Sequence, residues 1–136
     1  KESNKKYYFI DNGILNLFLF EADTSLLENL VAVTLHRLYA DQVYFINGKT
    51  EVDFFLPEQK TAIQVAYSLS GNDTREREIK GLTDIAKSSF DVKKYYIITK
   101  DEEELITEQG IEIQVIPVLK WLIFTNTDKL YEKIKI

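Results

Sequence analysis

Cysteine is absent from the 136-residue chain, which excludes disulfides and thiolate metal sites. Histidine occurs once, as His36, and one imidazole cannot build a metal site by itself. No run of about 18 apolar residues occurs, so no membrane span is expected. No secretory signal pattern is visible either, and the expected location is cytoplasmic, without a membrane partner. Basic charge is in short supply: the formal net charge of −5 argues against a generally adhesive nucleic-acid surface, though it leaves room for a local basic patch. Methionine is missing even at position 1, which suggests a fragment of something longer, an expressed C-terminal domain.

What is present reads as one soluble domain. Hydrophobic residues make up 45% and charged residues 29%, the composition of an ordinary globular chain of this length. Residues 1–24 read as an N-terminal connecting segment: polar and loose over Lys1–Lys6, strand-like or docking at Tyr7–Ile10, a turn at Asp11-Asn12-Gly13, then an apolar piece at Ile14–Phe20. That piece suits a buried short helix or a contact with a neighbouring domain.

A core over residues 25–124 follows. Ser25 with Glu28 three residues on forms a capping-box pattern that opens a helix to Tyr39, with Leu27, Leu30, Val31, Thr34, Leu35 and Leu38 at helical spacing. Gln42–Asn47 has strand composition, and Asn47-Gly48 is a strong hairpin signal. A second capping box, Asp73 with Glu76, opens a helix from Thr74 to about Ser89, with Ile79, Leu82, Ile85 and Ala86 inward. Val92–Thr99 reads as a buried strand, Asp101–Thr107 as a short helix or loop, and Ile111–Ile116 as another strand. Pro117 suits the first turn of a last helix to Phe124, with Val118, Leu119, Leu122 and Ile123 inward and Trp121 on its flank. The tail, residues 125–136, is expected to fray or to pack on a partner. These elements predict an α/β domain with a mixed central sheet flanked by helices.

The central stretch is Lys49–Tyr67. Strict alternation sets Val52, Phe54 and Leu56 on one face and Glu51, Asp53 and Phe55 on the other. After a turn at Pro57-Glu58-Gln59-Lys60, Ile63, Val65 and Tyr67 alternate with Ala62, Gln64 and Ala66. A symmetric hairpin places Asp53 opposite Gln64 and Glu51 opposite Ala66, which groups polar residues that a core does not need. Glu28 on the preceding helix adds a further carboxylate, although closing the capping box explains it equally. Two carboxylates within a few ångströms can hold Mg²⁺, a hard ion with oxygen ligands, and such an ion can activate water at a phosphodiester.

This plan resembles the restriction-endonuclease-like, or PD-(D/E)xK, nucleases, in which a helix Glu precedes an Asp and then a Glu-x-Lys strand. Glu28, Asp53 and Gln64-Val65-Ala66 stand in those places. A closer likeness lies in Tyr8–Ile14, Leu27–Val31, Gly48–Phe54, Ile63–Leu69, Thr74–Glu78 and Ile116–Leu122, which together resemble the C-terminal domain of bacterial and archaeal AAA-type ATPases, the class termed DUF4143. The resemblance implies a nuclease-like fold attached to an N-terminal ATPase part, which would be the nearest partner and would hold any ATP. Gly48-Lys49-Thr50 is not itself a P-loop, because the upstream glycine is missing and strand residues follow.

The chain departs from the nuclease pattern at two positions. Gln64 replaces a carboxylate and Ala66 replaces the lysine, which lowers the expected Mg²⁺ affinity and removes a charge-stabilising group. The expected function is therefore an accessory, non-catalytic domain that binds nucleic acid or a protein partner. The alternatives are an Mg²⁺-dependent DNA nuclease of resolvase type and a plain dimerisation module. Candidate catalytic residues are Glu28, Asp53 and Gln64, with Glu51 as an added metal ligand. Lys49, Arg75, Arg77 and Lys80 are candidate contacts to phosphate or to a partner's acids.

Overall fold

The computed structural model describes residues 6–8 and 22–134. The Asp11-Asn12-Gly13 turn and the Ile14–Phe20 segment lie outside these residues. Among the described residues nine elements follow in order: α1 (Ala22–Tyr39), β1 (Tyr44–Ile46), β2 (Val52–Leu56), β3 (Thr61–Val65), α2 (Asn72–Ala86), β4 (Lys94–Thr99), β5 (Glu104–Glu108), β6 (Ile111–Pro117) and α3 (Val118–Ile134).

The strands form one sheet in the order β1-β2-β3-β4-β6-β5. Pairing is antiparallel from β1 through β3 and between β5 and β6, and parallel for β3–β4 and β4–β6. The three consecutive antiparallel strands and the interior position of β4 match the expectation from sequence. A mixed sheet of this kind needs both faces covered, because its inner strands are apolar on both sides. On one face α2 lays Leu82 and Ile85 against Ala62, Tyr95, Ile97 and Val115. On the other, α1 and α3 bring Val31, Leu35 and Trp121 onto Phe54, Ile63, Ile98 and Ile116.

Several local expectations are corrected. β5 is a strand where a short helix or loop was expected, because Gln109 and Gly110 both take positive φ (48° and 82°), as a two-residue hairpin turn requires. Ser25 and Asp73 lie inside helices that begin earlier, so neither capping box forms, and α2 starts from Gly71 without a side-chain cap. Residues 47–51 form an open loop instead of the tight Asn47-Gly48 turn. Over residues 118–126 of α3, Val118 and Leu122 pack against the core as expected, whereas Trp121, expected on the flank, is buried (7% exposed) and Leu119 and Ile123, expected inward, are 67% and 58% exposed. The helix also continues through Asn126 to Ile134 without the break expected at Phe124. Among the described residues no helix is long and apolar enough to cross a membrane.

Candidate functional site

The site begins with a fault in the sheet. β1 pairs Tyr44 with Phe55 and Ile46 with Val52, so three steps along β2 face two along β1, and β2 carries a bulge. The bulge overturns the strict alternation expected from sequence. Val52 and Phe55 both join the core under α2, whereas Phe54 and Leu56 join the core under α1 and α3. Asp53 sits within this irregularity. The regular alternation of β3 does hold, with Ala62 and Ala66 on the α2 side and Ile63 and Val65 on the other.

The β2–β3 ladder has the anticipated register, pairing Leu56 with Thr61, Phe55 with Ala62 and Phe54 with Ile63. It then parts, and side chains replace the backbone partners. The Asp53 N–H donates to Gln64 Oε1 at 2.9 Å, and the Val65 N–H donates to Asp53 Oδ2 at 2.8 Å. Gln64 Nε2 donates to the carbonyls of Glu51 (3.0 Å) and Glu78 (3.5 Å), which ties β3 to the loop before β2 and to α2. Gly81 permits this approach: a Cβ there would lie 2.3 Å from Gln64 Nε2 and 2.4 Å from the Glu51 carbonyl oxygen.

A cleft of about 320 Å³ opens at this parting, between α1 and α2. Glu28, Asp53 and Gln64, the three residues singled out from the sequence, all line it, as do Glu51, Glu78, Asp84, Lys49, Arg77 and Lys80. Lys6 completes the arrangement. Its Nζ lies 3.4 Å from Glu28 Oε1 and 3.6 Å from Asp53 Oδ1, so one ammonium bridges the two carboxylates. Tyr8 donates its hydroxyl to the same Glu28 oxygen at 3.2 Å, and its ring packs 5.8 Å from that of Phe54.

The electrostatics follow from burial among like charges. Desolvation first, then the charges of Glu28 and Glu78, push the Asp53 carboxyl up to about 7, against the opposing pull of the Val65 N–H and of Lys6. Glu78, buried on α2, is also raised by desolvation, partly offset by the Arg77 guanidinium that donates to it at 3.0 Å. Burial and the Glu28 carboxylate raise the Tyr8 hydroxyl, which therefore stays a donor at neutral pH.

Sequence reasoning missed Lys6, Tyr8 and Glu78. Lys6 falls in a polar stretch with no periodicity to point to its destination. Glu78 carried a readable signal, because it precedes the core position Leu82 by four residues and shares its helix face. Of the candidate basic residues, Arg75 pairs with Glu104, Arg77 with Glu78 and Lys80 with Asp84. Lys49 makes no ion pair with any described residue. Arg75 lies outside the cleft, bound to β5. Ala66, at the lysine position of the nuclease pattern, is buried in the core under α2 at 2% exposure, and its N–H bonds the Ile98 carbonyl.

With Lys6 between the two carboxylates, these donors do not fit a divalent ion. Mg²⁺ takes oxygen ligands in near-octahedral geometry at about 2.0–2.1 Å. Here the Gln64 oxygen accepts from Asp53, one Asp53 oxygen accepts from Val65, and Lys6 lies against the other Asp53 oxygen and Glu28. Among the described residues no group of three or more His, Asp or Glu side chains is arranged to hold a metal. No protein-family model, curated protein or solved structure matches this chain.

Proposed function

We propose that this chain is a non-catalytic, protein-binding accessory domain of restriction-endonuclease-like fold, carried by a larger cytoplasmic ATPase of the AAA type. The observation that carries this reading is the use of Gln64. In an active nuclease of this plan the position would offer a charged oxygen to a metal ion. The amide here instead bonds three backbone groups, on β2, the preceding loop and α2. A side chain engaged in this way holds the strands and α2 together and brings no negative charge to a metal or a substrate.

A protein partner is favoured over DNA by charge and by exposed surface. Three of the four candidate basic residues are neutralised by acids of the same chain, and the net charge is −5. Phosphate binding draws on unpaired Lys and Arg. Leu119, Ile123 and Phe124 instead expose an apolar stripe on α3, the sort of surface that marks a contact between proteins.

The test is incubation with supercoiled and branched DNA in millimolar Mg²⁺ or Mn²⁺, with binding of the same DNAs followed at low salt. Intact DNA and no saturable binding are expected. Cleavage that disappears in Asp53→Ala would overturn the reading in favour of the Mg²⁺-dependent nuclease. The partner arm adds the ATPase part of the longer protein in trans. Binding weakened by Leu119→Ser with Phe124→Ser is expected, and binding untouched by that pair would remove α3 as the contact.

A further inference from the structure

Lys6 comes from a chain segment remote in sequence from the rest of the cleft, yet three elements receive it. Glu28 of α1 and Asp53 of β2 hold its ammonium at 3.4 and 3.6 Å, and the Phe45 ring of β1 lies 5.2 Å away, within cation–π range. Tyr8 fixes the segment two residues on, with its hydroxyl on Glu28 and its ring on Phe54. The two carboxylates are only 26% and 24% exposed, so water screens their repulsion incompletely. Of the other cations that line the cleft, Arg77 and Lys80 face Glu78 and Asp84, and Lys49 makes no ion pair with Glu28 or Asp53.

We propose that Lys6 is the resident cation of this cleft: its ammonium stands between Glu28 and Asp53 where a divalent ion would otherwise sit, and segment 6–8 thereby closes the cleft to Mg²⁺ and Mn²⁺. The inference rests on the non-catalytic reading of the site and adds a cause for it. An ammonium suits a pair of carboxylates with no third oxygen to offer. It is singly charged, donates hydrogen bonds, and is satisfied at N···O distances much longer than a metal bond. A divalent ion would have to displace that ammonium and complete its shell with water, because the Gln64 oxygen is already bonded to the Asp53 N–H. Removing the ammonium leaves two carboxylates facing one another, a site whose charge a divalent ion can then restore.

The experiment compares the wild-type chain with Lys6→Met and Lys6→Arg by thermal unfolding at pH 8, above the Asp53 value of about 7, with and without millimolar Mn²⁺. Lys6→Met is expected to lower Tm by about 3–6 °C. Mn²⁺ should restore most of that loss, and the restoration should vanish when Asp53→Asn is added. The wild type and Lys6→Arg should not respond to Mn²⁺. Equal Mn²⁺ stabilisation of all three chains would overturn the proposal, as would a Lys6→Met chain whose Tm is unchanged or indifferent to the metal. Should Lys6→Met not fold without metal, refolding on Mn²⁺ addition supports the proposal and failure to refold overturns it. DNA cleavage by the wild type would strike the non-catalytic reading alone, since the Tm comparison reads metal occupancy and not chemistry.

Discussion

Asp53 and Gln64 complete each other's hydrogen bonding at the point where β2 and β3 part: the Asp53 N–H bonds the Gln64 amide oxygen at 2.9 Å, and the Asp53 carboxylate takes the N–H of the residue after Gln64 at 2.8 Å. Two strands that separate inside a protein leave donors and acceptors without ladder partners, and an unpaired buried group costs about 1–3 kcal/mol. The pair removes that cost while the strands diverge, which leaves room for the cleft. Four predictions follow from this geometry and from the layers around it.

Gln64→Glu restores the carboxylate of the nuclease pattern but removes the Nε2 donor. The Glu51 and Glu78 carbonyls would then face a carboxylate oxygen. We expect a loss of about 2–3 kcal/mol in urea unfolding, with no cleavage of DNA in Mg²⁺. Cleavage by this variant would mean that position 64 alone withholds catalysis.

Gly81→Ala sets helix propensity against packing. Alanine should favour α2 by about 1 kcal/mol. The new methyl, however, would lie 2.4 Å from the Glu51 carbonyl oxygen, a backbone atom that cannot swing away, as well as against the Gln64 amide. The clash should win, with a net loss of about 1–3 kcal/mol. Urea unfolding measures it, and a stabilised variant would show that α2 can lift from β3 at little cost.

Asp53 links folding to pH with an unusual sign for an aspartate. Its folded carboxyl titrates at about 7, above the ordinary value of 3.8. Between those values the folded chain holds a proton that the unfolded chain has lost, so the contribution is present below about pH 4 and disappears as pH rises through about 7. Glu78, also raised, acts in the same direction. Relative to Asp53→Asn, the wild type should therefore lose stability from pH 4 to pH 7.5, read as a falling Tm difference. A difference that rises with pH would mean that the Lys6 pairing outweighs burial.

On α3 Trp121 is buried and Leu119 is exposed, the reverse of what spacing predicts for these two residues, and substitution should reveal it. Trp121→Ala should cost about 3–5 kcal/mol, because the indole packs against the sheet in the core under α1 and α3. Leu119→Ala, at an exposed position, should stay within about 0.5 kcal/mol. Similar losses at the two sites would contradict the packing of α3.

Much of the architecture was readable because local chemistry decides it. The strands from β1 to β3, β4 with its run Tyr95–Ile98, and the inward face of α2 follow from apolar spacing, and apolar spacing reports the surface each element must bury. The 53/64 register was readable for a related reason: the turn at residues 57–60 fixes it. Helix starts were not, since α1 and α2 begin at Ala22 and Asn72, ahead of the Ser25 and Asp73 signals, and capping residues mark a helix end only to within a turn. β5 escaped because only Ile106 of its five residues is buried, so an edge strand with one core contact has no apolar pattern to read.

By itself the sequence determined that a mixed sheet would be sandwiched between helices and that Asp53 would face Gln64, because turn length and apolar period act over a few residues; that Glu28 would join them was expected only from the nuclease resemblance. The tertiary structure alone decided what those residues do on arrival. The bulge that turns Asp53 into the cleft depends on pairing with β1, the bonds of Gln64 depend on the approach of α2 at Gly81, and Lys6 reaches its carboxylates across the fold. Hydrogen bonds and ion pairs between segments far apart in the chain depend on distance in space, and spacing along the chain carries no record of it.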